Sequence, residues 1–251
     1  MVADPAGHSR RERLGSRTDG NPGARPADLH VLRVFVGPDG RGGNPLGVVL
    51  DGPAVAEDRR QGVAAALGFS ETVFVDDMAT GRIRIFTPAA ELGFAGHPTV
   101  GTSWLLRSLS RDPGRLVVPA GEVVTWEEGG LGWIRARAAW VHEMQRVRYG
   151  TPAEVEALTG APEGASGSYY AWAWIDEAAG ILRSRYFVPH LGIGEDEATG
   201  AAAVVMGDAV GRPLEIRQGS GSVLHVRPGP DDTVEVGGRV ERMEVRPLAV
   251  A

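Results

Sequence analysis

The sequence predicts an α/β (α+β) protein of two similar halves, each a set of strands with one long helix of small residues. Two observations carry this. Apolar alternation at period two recurs through both halves and gives way to helical spacing at matching places. And two segments, Glu91-Leu92-Gly93-Phe94-Ala95-Gly96-His97-Pro98-Thr99-Val100-Gly101 and Gly194-Glu195-Asp196-Glu197-Ala198-Thr199-Gly200-Ala201-Ala202-Ala203, each run from an acidic residue through a Gly-rich turn into a helix of Gly, Ala, Ser and Thr. Small side chains let sheet surround such a helix closely. The same small residues also serve close packing that has nothing to do with a site.

Residues 1–28 are polar and rich in Gly, Pro, Arg and Asp, which predicts a disordered leader. Order begins with an alternating strand over 29–35. The turn Gly40-Arg41-Gly42-Gly43-Asn44-Pro45 leads to a second strand over 46–50. Helical spacing follows over 54–67, strands over 72–75 and 82–86, and a helix over 98–109. The second half repeats the order, with strands over 116–118, 123–127 and 133–138 and a short helix over 152–158. There Thr151 is the N-cap and Pro152 the first helical residue. Strands over 170–175 and 183–188 precede a helix over 198–210 that Gly211 ends, and strands over 214–217, 222–226 and 233–237 complete the chain. The expected division is 29–115 and 116–240, with 241–251 available to return to the first half.

The 251 residues are long enough for one large or two modest domains. A net charge of −6 argues against a protein built to hold nucleic acid through phosphate contacts, and no apolar run is long enough for a membrane helix. All 26 basic residues are arginine, which excludes Schiff-base chemistry and a P-loop lysine. The absence of cysteine excludes disulfides, zinc–thiolate sites and thiol nucleophiles. Arg10, Arg11 and Arg13 are followed by no apolar stretch, so no export signal is read and the expected location is cytoplasmic.

Each chemically interesting residue has an ordinary reading beside the functional one. Glu71, where a helix gives way to an apolar strand, is either a solvated turn residue or a carboxyl of raised pKa. His97 at a helix start is either a satisfied histidine or a neutral imidazole, held so by the helix dipole. Asp196 is an N-cap or a site acid, and Asn44 a turn residue or part of a site wall. Two facing helix starts offer unpaired N–H groups that would grip a carboxylate. Tyr170, Trp172 and Trp174 read as aromatic core on a strand, or as residues shaping a pocket.

Taken together, four blocks resemble the PhzF-like phenazine biosynthesis family in order and spacing. They are Gly43-Asn44-Pro45-Leu46-Gly47, Ser70-Glu71-Thr72-Val73-Phe74-Val75, Phe86-Thr87-Pro88 through Gly96-His97-Pro98-Thr99, and Gly194-Glu195-Asp196-Glu197-Ala198-Thr199-Gly200. The resemblance implies the diaminopimelate epimerase fold, two domains each a curved, barrel-like and mostly antiparallel sheet around a central helix, with the site between them. It implies a cofactor-free isomerase that moves a proton within a small unsaturated or cyclic amino or hydroxy carboxylic acid in specialised metabolism, without metal, acting as a homodimer.

By the same match Glu71 is the general acid/base, His97 polarises the substrate, and Asp196 orients it. Asn44 and the backbone at Gly96, Gly200 and Ala201 bind the substrate. The family's two-cysteine epimerases are excluded here. Ala201 stands where the family commonly has serine, which removes a hydroxyl contact and keeps a backbone N–H. A non-catalytic small-acid-binding or scaffold relative is the alternative. A nucleotide site at Gly219-Ser220-Gly221 fails its context, because a strand follows and not a helix.

Overall fold

The computed structural model describes residues 27–165, 167–189 and 193–248. β1 (Asp28–Val36) and β2 (Asn44–Val49) pair antiparallel, with Val34 opposite Asn44. Helix α1 (Glu57–Leu67) carries the chain across so that β3 (Glu71–Asp77) runs parallel to β2, and β4 (Arg82–Phe86) returns antiparallel. The two-residue β5 (Glu91–Leu92) and helix α2 (Gly96–Ser108) then deliver β6 (Arg115–Val118) parallel to β4. β7 (Gly121–Glu128) and β8 (Leu131–Ala136) follow as antiparallel neighbours. Parallel neighbours need such crossovers, and helices supply them.

The second half repeats the scheme. β9 (Gln145–Arg148) and β10 (Tyr169–Asp176) are parallel across helix α3 (Pro152–Glu156), whose start is a capping box of Thr151 and Glu154. β11 (Ile181–Val188) is antiparallel to β10 and also pairs with the short β12 (Ile193–Asp196). Helix α4 (Gly200–Val210) leads to β13 (Leu214–Gln218), parallel to β11, and β14 (Ser222–Pro228) and β15 (Val234–Pro247) finish the sheet.

β15 joins the halves. Its first residues pair with β14 on one side and β8 on the other, and from Arg239 onward it pairs with β1. The strands β1-β2-β3-β4-β6-β7-β8-β15 therefore close into an eight-stranded ring. Pairing runs without a break through residue 116, where the sequence suggests that a second half begins. The expected leader falls mostly outside the described residues, but Ala27 is buried and its carbonyl accepts from Leu248 N–H at 2.7 Å.

Each central helix is thin in the middle. A Cβ at Gly101 of α2 would stand 2.6 Å from Leu46 Cδ2 and 2.7 Å from Val34 Cγ2; one at Gly207 of α4 would stand 2.5 Å from Val226 Cγ1. The small residues thus do what their pattern predicts and admit strand side chains onto the helix. Val100, Leu105 and Leu106 of α2 are fully buried inside the ring, each contributing about 1.5–3 kcal/mol. No helix among the described residues is long and apolar enough to cross a membrane.

Candidate active site

The site lies where both central helices begin. Asn44 opens β2, and Glu71 opens β3 on the neighbouring strand, with Leu46 as its register partner. His97 is the second residue of α2, and Asp196 ends β12 just ahead of α4. α2 starts two residues before the predicted Pro98. A proline in the first turn gives up an N–H that has no helical partner in any case. α4 starts two residues after the predicted 198, because Thr199 stays extended and its hydroxyl donates to Asp196 Oδ2 at 2.5 Å.

Asn44 is the hub, and only 2% of it is exposed. Its amide Nδ2 donates to Asp196 Oδ1 at 2.6 Å and to the Ala198 carbonyl at 3.0 Å, and lies 3.4 Å from His97 Nδ1. Its Oδ1 accepts from Ser70 Oγ at 2.9 Å. On the other side of the imidazole, His97 Nε2 stands 3.1 Å from Glu71 Oε2, yet neither atom is aligned for a hydrogen bond. Two buried polar atoms in contact and unbonded are costly unless something else uses them.

Burial sets the charges. The Glu71 carboxyl is pushed up to about 8, first by loss of water and then by the nearby Asp196 charge, against a Ser70 hydrogen bond. Burial also raises Asp196, to about 6, with Glu197 and Glu195 adding to it and the Thr199 and Asn44 hydrogen bonds opposing. His97 goes down to about 3 because it is buried, with the Pro45 backbone opposing. The imidazole is therefore neutral near pH 7, with burial as the cause. At neutral pH the two carboxyls share a single negative charge, a condition suited to passing a proton.

The helix starts face each other at Gly96 and Gly200. A Cβ on Gly96 would stand 2.6 Å from Gly200 Cα, and one on Gly200 would stand 2.8 Å from Gly96 Cα and 2.9 Å from His97 N. The backbones meet directly, with no room for a methyl group between them. Neither helix has a side-chain cap, since Ala95 has none to offer and Thr199 spends its hydroxyl on Asp196. The first-turn N–H groups, including that of Ala201, therefore receive no acceptor from a capping side chain.

Two supporting residues escaped the sequence reading. Gln218 accepts from Thr199 N–H at 3.2 Å and donates to Thr199 Oγ1 at 2.8 Å and to the Asp196 carbonyl at 2.9 Å. Its signal was legible, a polar residue at the third inward position of the alternating strand Leu214, Ile216, Gln218. Tyr186 lies opposite Asp196 on the neighbouring strand and feels the charges of Asp196 and Glu71. The aromatic residues of β10 serve packing. Tyr170 is fully buried beside Tyr186, while Arg148 and Arg212 cover Trp172 and Trp174.

Comparison with known proteins places these residues in context. The family model for phenazine biosynthesis-like proteins, PhzC-PhzF, matches residues 37–129. A protein of Deinococcus radiodurans named as an uncharacterized isomerase is 30% identical over 264 residues, covering 81% of this chain and 86% of that protein. The trans-2,3-dihydro-3-hydroxyanthranilate isomerase of Pseudomonas aeruginosa is 28% identical, covering 81% and 84%. A 40% identical match to an uncharacterized isomerase of Pasteurella multocida is shorter; it spans 32% of this chain and under a third of that relative, 29%. Among solved structures, a PhzF family protein of Enterococcus faecalis aligns over 88% of this chain and 98% of its own at a TM-score of 0.72 and 19% identity, which is a likeness of fold.

Proposed function

This chain belongs to the phenazine biosynthesis-like PhzC-PhzF family, and from that premise and the site's geometry we propose that it is an isomerase moving a proton within a small carboxylic acid. The observation that carries the proposal is the buried Glu71 carboxyl, with an unbonded oxygen against a neutral imidazole, placed where two uncapped helix starts meet.

In its anionic form Glu71 takes a proton from one carbon of the substrate. The electron pair left behind spreads through the substrate's conjugated system while the substrate carboxylate rests on N–H groups of the first turns. The same carboxyl, now neutral, returns the proton to a second carbon, so the reaction is balanced and needs no other reagent. His97 polarises the substrate through its free Nε2. Asp196, held by Asn44 and Thr199, orients an amino or hydroxyl group. Because Gly96 and Gly200 touch, binding draws the helix starts apart or uses the N–H groups flanking their contact. The same reading takes the protein to work without a cofactor as a cytoplasmic homodimer in specialised metabolism.

The test supplies trans-2,3-dihydro-3-hydroxyanthranilate, the compound in the Pseudomonas aeruginosa relative's name, in deuterated water. Wild type should change the absorbance and incorporate deuterium at carbon. Glu71→Gln should do neither, while ligand-induced thermal stabilisation persists. Equal turnover by the variant would remove Glu71 from the mechanism. Binding without exchange in wild type would favour the alternative of a non-catalytic acid-binding relative, to which the missing hydroxyl at Ala201 already lends some support.

A further inference from the structure

Two Gly-rich turns that the mechanism does not use meet beside the site. A Cβ at Gly42 would stand 2.3 Å from Ser222 N, and one at Gly37 would stand 2.3 Å from the Gly221 carbonyl oxygen. At Gly219 it would stand 2.4 Å from Glu197 Cδ. The turn ahead of Asn44, the turn between β13 and β14, and the residue after Asp196 are therefore in contact, with no room for a side chain at the glycines.

Hydrogen bonds run through this contact in one direction. Gly43 N–H donates to Ser222 Oγ at 2.8 Å, and the Ser222 hydroxyl donates to Glu197 Oε1 at 2.8 Å. Ser220 N–H donates to both oxygens of that carboxylate, at 2.8 and 2.9 Å, and its hydroxyl donates to Oε1 at 3.0 Å. Ser222 is fully buried, so its hydroxyl proton requires an acceptor within the protein, and Glu197 is that acceptor. Gly43 precedes Asn44, whose amide then closes the circuit onto Asp196, the neighbour of Glu197.

We propose that Glu197 is a positioning residue of this site: by fixing the Ser222 hydroxyl it holds the Gly43 N–H, and so keeps the Asn44 amide on Asp196 and beside His97. Its consequence for rate rests on the proton-transfer reading above; the hydrogen-bond relay itself does not. The charge of Glu197 acts on the same neighbour, adding to burial in raising the Asp196 carboxyl. Glu195, on the other side of Asp196, is occupied instead by Arg185, whose Nε donates to its Oε1 at 2.8 Å.

The test needs no substrate. In 15N-labelled protein, Glu197→Ala should speed hydrogen exchange at the Gly43 amide about tenfold or more and shift the Asn44 side-chain amide resonances. Glu197→Gln keeps an acceptor oxygen and should restore both signals most of the way. Ser222→Ala should reproduce the loss, and it carries the test if Glu197→Ala fails to fold. Wild-type exchange at Gly43 and unshifted Asn44 resonances in Glu197→Ala or Ser222→Ala would overturn the proposal. A kinetic arm uses trans-2,3-dihydro-3-hydroxyanthranilate in deuterated water and expects kcat to fall in Glu197→Ala with KM little changed. An altered amide signature in a protein that never turns the compound over counts against the function and leaves the relay standing. Normal turnover with a normal signature in Glu197→Ala refutes the relay alone.

Discussion

Replacing Glu71 by glutamine should spare the protein a loss of stability that wild type suffers as pH rises, and the size of the effect follows from the site. In the folded protein the Glu71 carboxyl titrates near 8, against 4.5 for an unburied glutamate. Between those values the native state keeps a proton that the unfolded chain has released, so stability falls with rising pH. The contribution is whole below 4.5 and gone above 8. Each pH unit costs about 1.4 kcal/mol, and the full window about 5 kcal/mol.

The window from 6.5 to 8 isolates this effect within the cluster. Asp196 titrates lower, near 6, and His97 acts in the opposite sense, its contribution present above 6.5 and lost as pH falls through about 3. Over those 1.5 pH units wild type should lose about 2 kcal/mol relative to Glu71→Gln. Glutamine keeps the shape and cannot ionise, so groups elsewhere cancel in the difference. Urea unfolding of both proteins at pH 6.5, 7, 7.5 and 8 reads the gap directly. Parallel stability curves would show that Glu71 is not held neutral, and the charge argument for the site would fail with them.

Three further expectations follow from the same geometry. The kcat/KM of deuterium incorporation should rise with pH and level off above about 8, as Glu71 becomes the anion that accepts a proton; a profile that falls over that range contradicts a base at this position. Gly200→Ala would put a methyl group 2.8 Å from Gly96 Cα, and because backbone yields poorly it should lower stability by about 1–3 kcal/mol. An unchanged melting temperature would show that the helix starts separate freely. Asn44→Ala strips Asp196 Oδ1 and Ser70 Oγ of a partner and should cost about 1–3 kcal/mol in urea unfolding, with wild-type stability as the contrary result.

The sequence was most informative where local chemistry decides structure. Thr151 before Pro152 announced a helix start and became a capping box, and Gly211 ends α4 with a left-handed φ of 68° as its position suggests. Glu71, His97, Asp196 and Asn44 converge although 152 residues separate Asn44 from Asp196, because each stands at the beginning or end of an element where the two central helices start. What escaped was decided by distant packing. The strand predicted over 233–237 stops at Gly237, whereas β15 continues to Pro247. Gly237 and Gly238 are sites of close approach: a Cβ at Gly237 would stand 2.3 Å from Trp133 Cδ2, and one at Gly238 2.4 Å from Phe35 Cδ1. Beyond them Met243 and Val245 alternate with Glu244 and Arg246 but bury little, and pairing with β1 holds the strand. The short β5, β9 and β12 were likewise too brief to show a period.

The double pairing of β15 has a consequence for how the protein comes into being. The first half needs this strand to join β8 to β1, yet it is the last of the described strands to leave the ribosome. While roughly the first two hundred residues emerge, a nearly complete sheet waits with two open edges, α2 inside it and its apolar interior unsealed. Contacts so far apart in sequence form slowly, which leaves such a nascent chain exposed for longer than its local pattern suggests. Closure of the ring and completion of the second half's sheet both wait on this one strand.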